Sequence, residues 1–182
     1  GQTANHQLAL KVVKTPWIWR LDDDNFPEPD VLEKLCQAVL PDVVGVGSLI
    51  LVPGSIAPLG ELNSPEITDS HFKLAIQCGI FEGRRYTSHF HNSFLFNRAV
   101  GEYAGANMPK LSVVGHREET IFSYLLSTKG KLVVCGDATT WHLRNSEGGI
   151  RLCKDHQLWV KDDSVFRDFL KARGVSLIDY KL

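Results

Sequence analysis

At 182 residues, with 43% hydrophobic and 9% aromatic side chains, the chain is long enough for one domain with a substantial core. Its 20 basic and 21 acidic residues leave a formal net charge of -1, which excludes the broad positive field that gathers nucleic acid or an anionic membrane. Cys36, Cys78, Cys135 and Cys153 lie too far apart for a structural zinc site and read as reduced, mostly core thiols. No apolar run approaches the roughly 18 residues of a membrane span, and residues 1 to 15 carry no secretory h-region. The expected location is cytoplasmic, or at a membrane through parts outside this chain.

Short apolar runs alternating with helical patterns predict a single α/β domain over residues 1 to 182. Residues 3 to 14 predict a helix with Leu8, Ala9, Val12 and Val13 on one face, ended by Pro16, which disfavours α at Thr15. Trp17 to Leu21 is β-branched and aromatic, and this predicted strand stops at Asp22-Asp23-Asp24, a residue type depleted in strands. After Pro27 and Pro29, Asp30 opens a helix whose Val31, Leu32, Leu35, Cys36, Val39 and Leu40 follow helical spacing. Val43 to Val52, nearly all apolar, reads as a central strand covered on both faces. From Pro53 to about Ser70 the periodicity lapses, as in a lid or insertion. Further on, Ser93 to Asn97 predicts a strand, Glu118 to Ser127 a helix, Lys131 to Cys135 a strand and Ser164 to Arg173 an amphipathic closing helix.

Three consecutive carboxylates at a strand end repel one another and lose hydration, so a fold that tolerates them supplies a cation or leaves them in a solvated turn. Mg2+ and Mn2+ are the natural guests, being oxygen-loving ions that keep positions open for water and substrate phosphates. His89 and His91 alternate like strand residues, but nothing nearby completes a tetrahedral zinc set. Arg144, Arg151 and Lys154, interrupted by Gly148-Gly149, form a basic segment fit to close over a diphosphate or to remain a solvated loop.

The run Trp19-Arg20-Leu21-Asp22-Asp23-Asp24-Asn25-Phe26-Pro27-Glu28-Pro29-Asp30-Val31-Leu32 resembles the strand, DxD metal motif and helix start of glycosyltransferase family 2, a GT-A family of inverting sugar transferases. Gly1 to Leu10, with Asn5, is similar to the helix that precedes that motif in the family. Gly115-His116-Arg117-Glu118-Glu119-Thr120-Ile121-Phe122 looks like its acidic helix start, and Ala138-Thr139-Thr140-Trp141-His142 like its late histidine segment. The resemblance implies a GT-A-like mixed central sheet flanked by helices and truncated at the N-terminus, since the family's nucleotide-gripping half lies ahead of the first matched helix.

The resemblance also implies roles. Asp22 would lie nearer the nucleotide and also on the metal, Asp24 and His142 on the metal, and Asp23 in either position. Glu119 or Glu118 would be the general base, ionised at a helix N-terminus that favours negative charge. Arg144 and Arg151 would join Asp22 and Asp23 in binding the donor. Tyr86 to His91 and Asn92 would border the acceptor site. The implied cofactor is Mn2+ or Mg2+, the implied partners a nucleotide-diphosphate sugar and a carbohydrate or other hydroxyl acceptor. A sheet edge left open at Trp17 to Leu21 predicts a homodimer. Two other readings compete: a carbohydrate-binding or assembly remnant of such a domain that no longer turns over, and a metal-dependent nucleotidyltransferase, which would need a Gly-rich phosphate loop the sequence lacks.

Overall fold

A computed structural model describes residues 2–54, 57–58, 71–72, 77, 79–143 and 156–177. In chain order the elements are α1 (Gln2–Val12), β1 (Trp17–Arg20), β2 (Asn25–Pro27), α2 (Val31–Gln37), β3 (Val43–Leu51), β4 (Ala57–Pro58), β5 (His71–Phe72), β6 (Gly79–Ile80), β7 (Arg84–Thr87), β8 (Phe94–Asn97), α3 (Arg98–Ala106), α4 (Glu118–Ser127), β9 (Lys131–His142), α5 (His156–Lys171) and β10 (Ser176–Leu177). Six strands make one mixed sheet in the order β1-β8-β3-β9-β2, with β7 also on β9. The β3–β9 pair is parallel, while β8 runs antiparallel to both β1 and β3. This is the mixed α/β architecture the sequence predicts.

The long apolar run of β3 lies between β8 and β9 and is buried over almost its whole length, as a strand covered on both faces must be. On one face Phe94, Phe96, Leu49, Leu132 and Val134 pack beneath Ile121, Phe122 and Leu125 of α4 and Phe166 and Leu170 of α5. On the other face Val31 and Leu35 of α2 cover Val46, Leu95 and Val133, with Trp17 and Trp19 at the margin. β1 serves both faces, because Ile18 packs with the first cluster while its neighbours Trp17 and Trp19 pack with the second.

Several boundaries differ from expectation. α1 forms, but Leu8 and Val12 of its expected buried face are 61% and 63% exposed, and Leu10 is the residue that enters the core. Leu10 lies against the close-set Gly101 and Gly105 of α3, a helix the sequence reading missed. In α2, Val31 and Leu35 are buried, whereas Leu32, Cys36 and Leu40 are exposed; the helix ends at Gln37, too early for Leu40 to join that face. β9 continues past Cys135 to His142, and α5 begins at His156, eight residues before the predicted helix. Of the expected lid, only 53–54 and 57–58 belong to the described residues.

β9 changes partners midway. Its first half, Leu132 to Cys135, pairs with β7, and its last residues, Thr140 to His142, pair with β2. Between the halves the β3 register jumps from Ser48 opposite Cys135 to Leu49 opposite Thr139, so Gly136 to Ala138 bulge out. Gly136 sits in this bulge, where an added Cβ would stand 2.1 Å from the Phe81 carbonyl oxygen.

Candidate metal and acid-base site

The aspartate run forms a turn between β1 and β2, with the Asn25 amide donating to the Asp22 carbonyl at 3.1 Å. β2 is only three residues long, yet it pairs Asn25 with His142 and so brings the turn to the end of β9. Asp24 Oδ2 then lies 3.1 Å from His142 Nε2, and the Leu143 amide donates to the Asp24 carbonyl at 2.9 Å. Two residues 118 positions apart are thereby held together by paired backbone. Beneath them, the buried Asn25 donates through Nδ2 to Asn92 Oδ1 at 2.7 Å. Gln77 braces that loop, donating to the Ser48 and Asn92 carbonyls and accepting from the His91 and Asn92 amides.

The acidic pair stands at the start of α4. Gly115 and Arg117, both with positive φ, turn the chain sharply into this helix. Asp162 of α5, fully buried, holds the approach by accepting from the Ser112 amide and hydroxyl and from the His116 amide at 2.7 to 2.9 Å. Arg117 Nε donates to Asp163 at 2.9 Å, and the His116 ring rests 4.7 Å from that of Trp159.

Arg20, whose side chain is 8% exposed, joins the two halves of the site. Its Nη1 donates to Glu118 Oε2 and its Nη2 to Glu119 Oε1, each at 2.9 Å, while Nε lies 3.9 Å from Asp22 Oδ1. Burial acts to lower the Arg20 pKa, but the charges of Glu118, Glu119 and Asp22 outweigh it and hold the guanidinium firmly charged. Glu118 Oε1 also meets His6 Nδ1 at 2.8 Å. Burial would raise the Glu118 pKa; Arg20 and the His6 contact overcome it and keep that carboxyl below its ordinary range. Glu119 is the opposite case. Its lost hydration, reinforced by Glu118 and Asp22, raises its pKa despite Arg20.

Of the residues expected at the site, Asp24 and His142 meet directly, and Glu118 and Glu119 are tied through Arg20 to Asp22. Asp23 is exposed in the turn. Asp22 engages Arg20 rather than joining Asp24 and His142, and among the described residues no three His, Cys, Asp or Glu side chains gather closely enough to hold an ion. Arg144, Arg151 and Lys154 lie outside the described residues, as do Cys78 and Cys153. His6, Arg20, Asn92's partner Gln77 and Asp162 were not singled out from sequence. For Arg20 a signal existed: it shares a strand face with Ile18, and a charge on a core-facing position has to be paired.

No family model matches the chain, and no curated protein does. Among solved structures the chain is similar to GalNAc-T7, in a crystal structure with UDP, GalNAc and Mn2+, at 10% identity and a TM-score of 0.51. The superposition covers 97% of this chain and 42% of that one, so the chain spans less than half the length of this neighbour. At that identity the likeness is one of fold, consistent with a GT-A-like arrangement. Among the described residues no helix is long and apolar enough to cross a membrane.

Proposed function

We propose that residues 1 to 182 form one GT-A-type domain, similar to glycosyltransferase family 2, that transfers a sugar with inversion from a nucleotide-diphosphate sugar to a hydroxyl acceptor. The observation that carries this reading is the meeting of Asp24 and His142, 3.1 Å apart, in a turn that Arg20 ties through Asp22 to the acidic start of α4. A carboxylate oxygen and an imidazole nitrogen side by side fit Mn2+ better than Mg2+, which prefers oxygen throughout. Asp24 and His142 would hold that cation, with Asp22 on the nucleotide side. Bound there, it supplies Lewis acidity to the diphosphate leaving group. The fold likeness to a protein crystallised with UDP, GalNAc and Mn2+ supports the same donor class.

The chain's own residues do the rest. Glu119, at the N-terminus of α4 and partly open to solvent, takes the proton from the acceptor hydroxyl as the new bond forms. Glu118 is 1% exposed with both oxygens engaged, so it cannot reach an acceptor. The loop of His91 and Asn92, braced by Gln77 against the aspartate turn, is the proposed acceptor border. A second reading, a carbohydrate-binding remnant without turnover, is favoured by one fact: only two of the three expected ligands come together among the described residues.

Calorimetric titration of Mn2+, alone and with UDP, into the wild type and Asp24→Ala separates the two. The transferase reading expects Mn2+ binding that tightens with UDP and weakens about tenfold or more, roughly 1.4 kcal/mol, in the variant. Absence of binding to either protein would leave only the remnant.

A further inference from the structure

We propose that Arg20 is the positioning residue of this site: its planar guanidinium, at the end of β1, fixes Glu119 as the working carboxyl and Glu118 as its anchor relative to the aspartate turn. The roles rest on the transferase reading above, whereas the geometry stands without it. One buried fork reaches two carboxyl groups on α4 and faces a third in the turn, at 2.9, 2.9 and 3.9 Å. Adjacent carboxylates at a helix start repel each other, and without a shared cation they would splay apart.

The division of labour follows from what each oxygen touches. Glu118 has one oxygen on His6 and the other on Arg20, which locks it between α1 and β1. Glu119 gives Oε1 to Arg20 and keeps about a fifth of its side chain exposed. Arg20 also lies over the Phe94 ring, 5.7 Å from its centroid, which adds a cation–π contact to its two ion pairs. Its Nε is buried without a hydrogen-bond partner, a cost the fold bears at the position facing Asp22. Lysine would keep the charge and lose the fork, because an ammonium is a point charge with no fixed plane.

Among the charged groups facing Glu119 are Arg20, Glu118 and Asp22, with His6 beyond Glu118. The test therefore follows the Glu119 carboxyl itself. The full chain, Arg20→Lys and Arg20→Ala are labelled with carboxyl-13C glutamate, the signal is assigned with Glu119→Gln, and its chemical shift is followed against pH. In Arg20→Ala the titration midpoint is expected to rise by about one pH unit or more, since the compensating cation has gone. Added guanidinium ion should bring it back, and ammonium at the same concentration should not. A midpoint unchanged in Arg20→Ala, or restored equally by ammonium, overturns the proposal. Should Arg20→Ala fail to fold, Arg20→Lys decides: behaviour identical to wild type refutes the need for the fork, and a displaced midpoint supports it. Failure of the transferase reading shows separately, as wild-type protein that binds neither Mn2+ nor UDP.

Discussion

His89 is 2% exposed, and burial, followed by the nearby charges of His91 and Arg117, pushes its pKa down to about 3. An unfolded imidazole takes its proton near pH 6.5. Between these values the unfolded chain binds the extra proton, so the stability His89 contributes is complete above pH 6.5 and is lost as the pH falls towards 3. Lowering the pH from 7 to 5 should cost about 2 kcal/mol through this one residue. His89→Gln should flatten that part of the pH dependence when urea midpoints are compared at the two pH values. An equal loss in both proteins would mean that other groups set the slope. The same rule, that a buried ionisable group is either neutral or paired, accounts for Arg20 as well as His89. It also marks what single residues reveal in a sequence. The aspartate run announces itself, but Arg20 becomes visible only when Ile18, two residues earlier on the same strand face, is known to face the core.

At the scale of elements, the bulge in β9 decides where His142 stands. Gly136 approaches Phe81 so closely that Gly136→Ala would press a methyl group onto a backbone oxygen that cannot step aside. We expect a loss of about 1–3 kcal/mol in urea denaturation and, on the transferase reading, weaker Mn2+ binding, since the strand beyond the bulge carries His142 to Asp24. Unaltered stability and binding would show that the bulge is not rigid. This element also explains how far the sequence could be read. β3 was legible as a long apolar run, β1 and the start of β9 as short runs rich in aromatic and β-branched residues, and α4 by the helical spacing of Ile121, Phe122, Leu125 and Leu126. β2, with three residues, has no period to detect; nor has the partner exchange along β9, which depends on tertiary register. α3 was missed because its buried face is built largely of glycine and alanine, at Gly101, Ala104 and Gly105. Asp24, His142, Glu118 and Glu119 were therefore readable as candidate residues, while the contacts that arrange them, Asp24 on His142 and Arg20 on the two glutamates, were not.

For the whole molecule, β1 is the end of the main sheet, and among the described residues no strand pairs with its outer edge. Nearby α1 leaves Leu8 and Val12 largely in solvent. An open edge beside apolar surface invites pairing with another chain, so light scattering after size exclusion should give the mass of a dimer. A clean monomer at high concentration would count against that use of the edge.

The four tryptophans add a practical consequence. Trp17 and Trp19 lie on the strand that ends at the aspartate turn, Trp141 precedes His142, and Trp159 touches His116 ahead of the acidic helix. All four are partly exposed, and the buried aromatic core is phenylalanine. Indole emission from this protein is thus an optical report on the candidate-site end of the sheet, while far-ultraviolet dichroism reports the helices and strands behind it. A spectral change on adding a ligand, with dichroism unmoved, would locate binding without any introduced label.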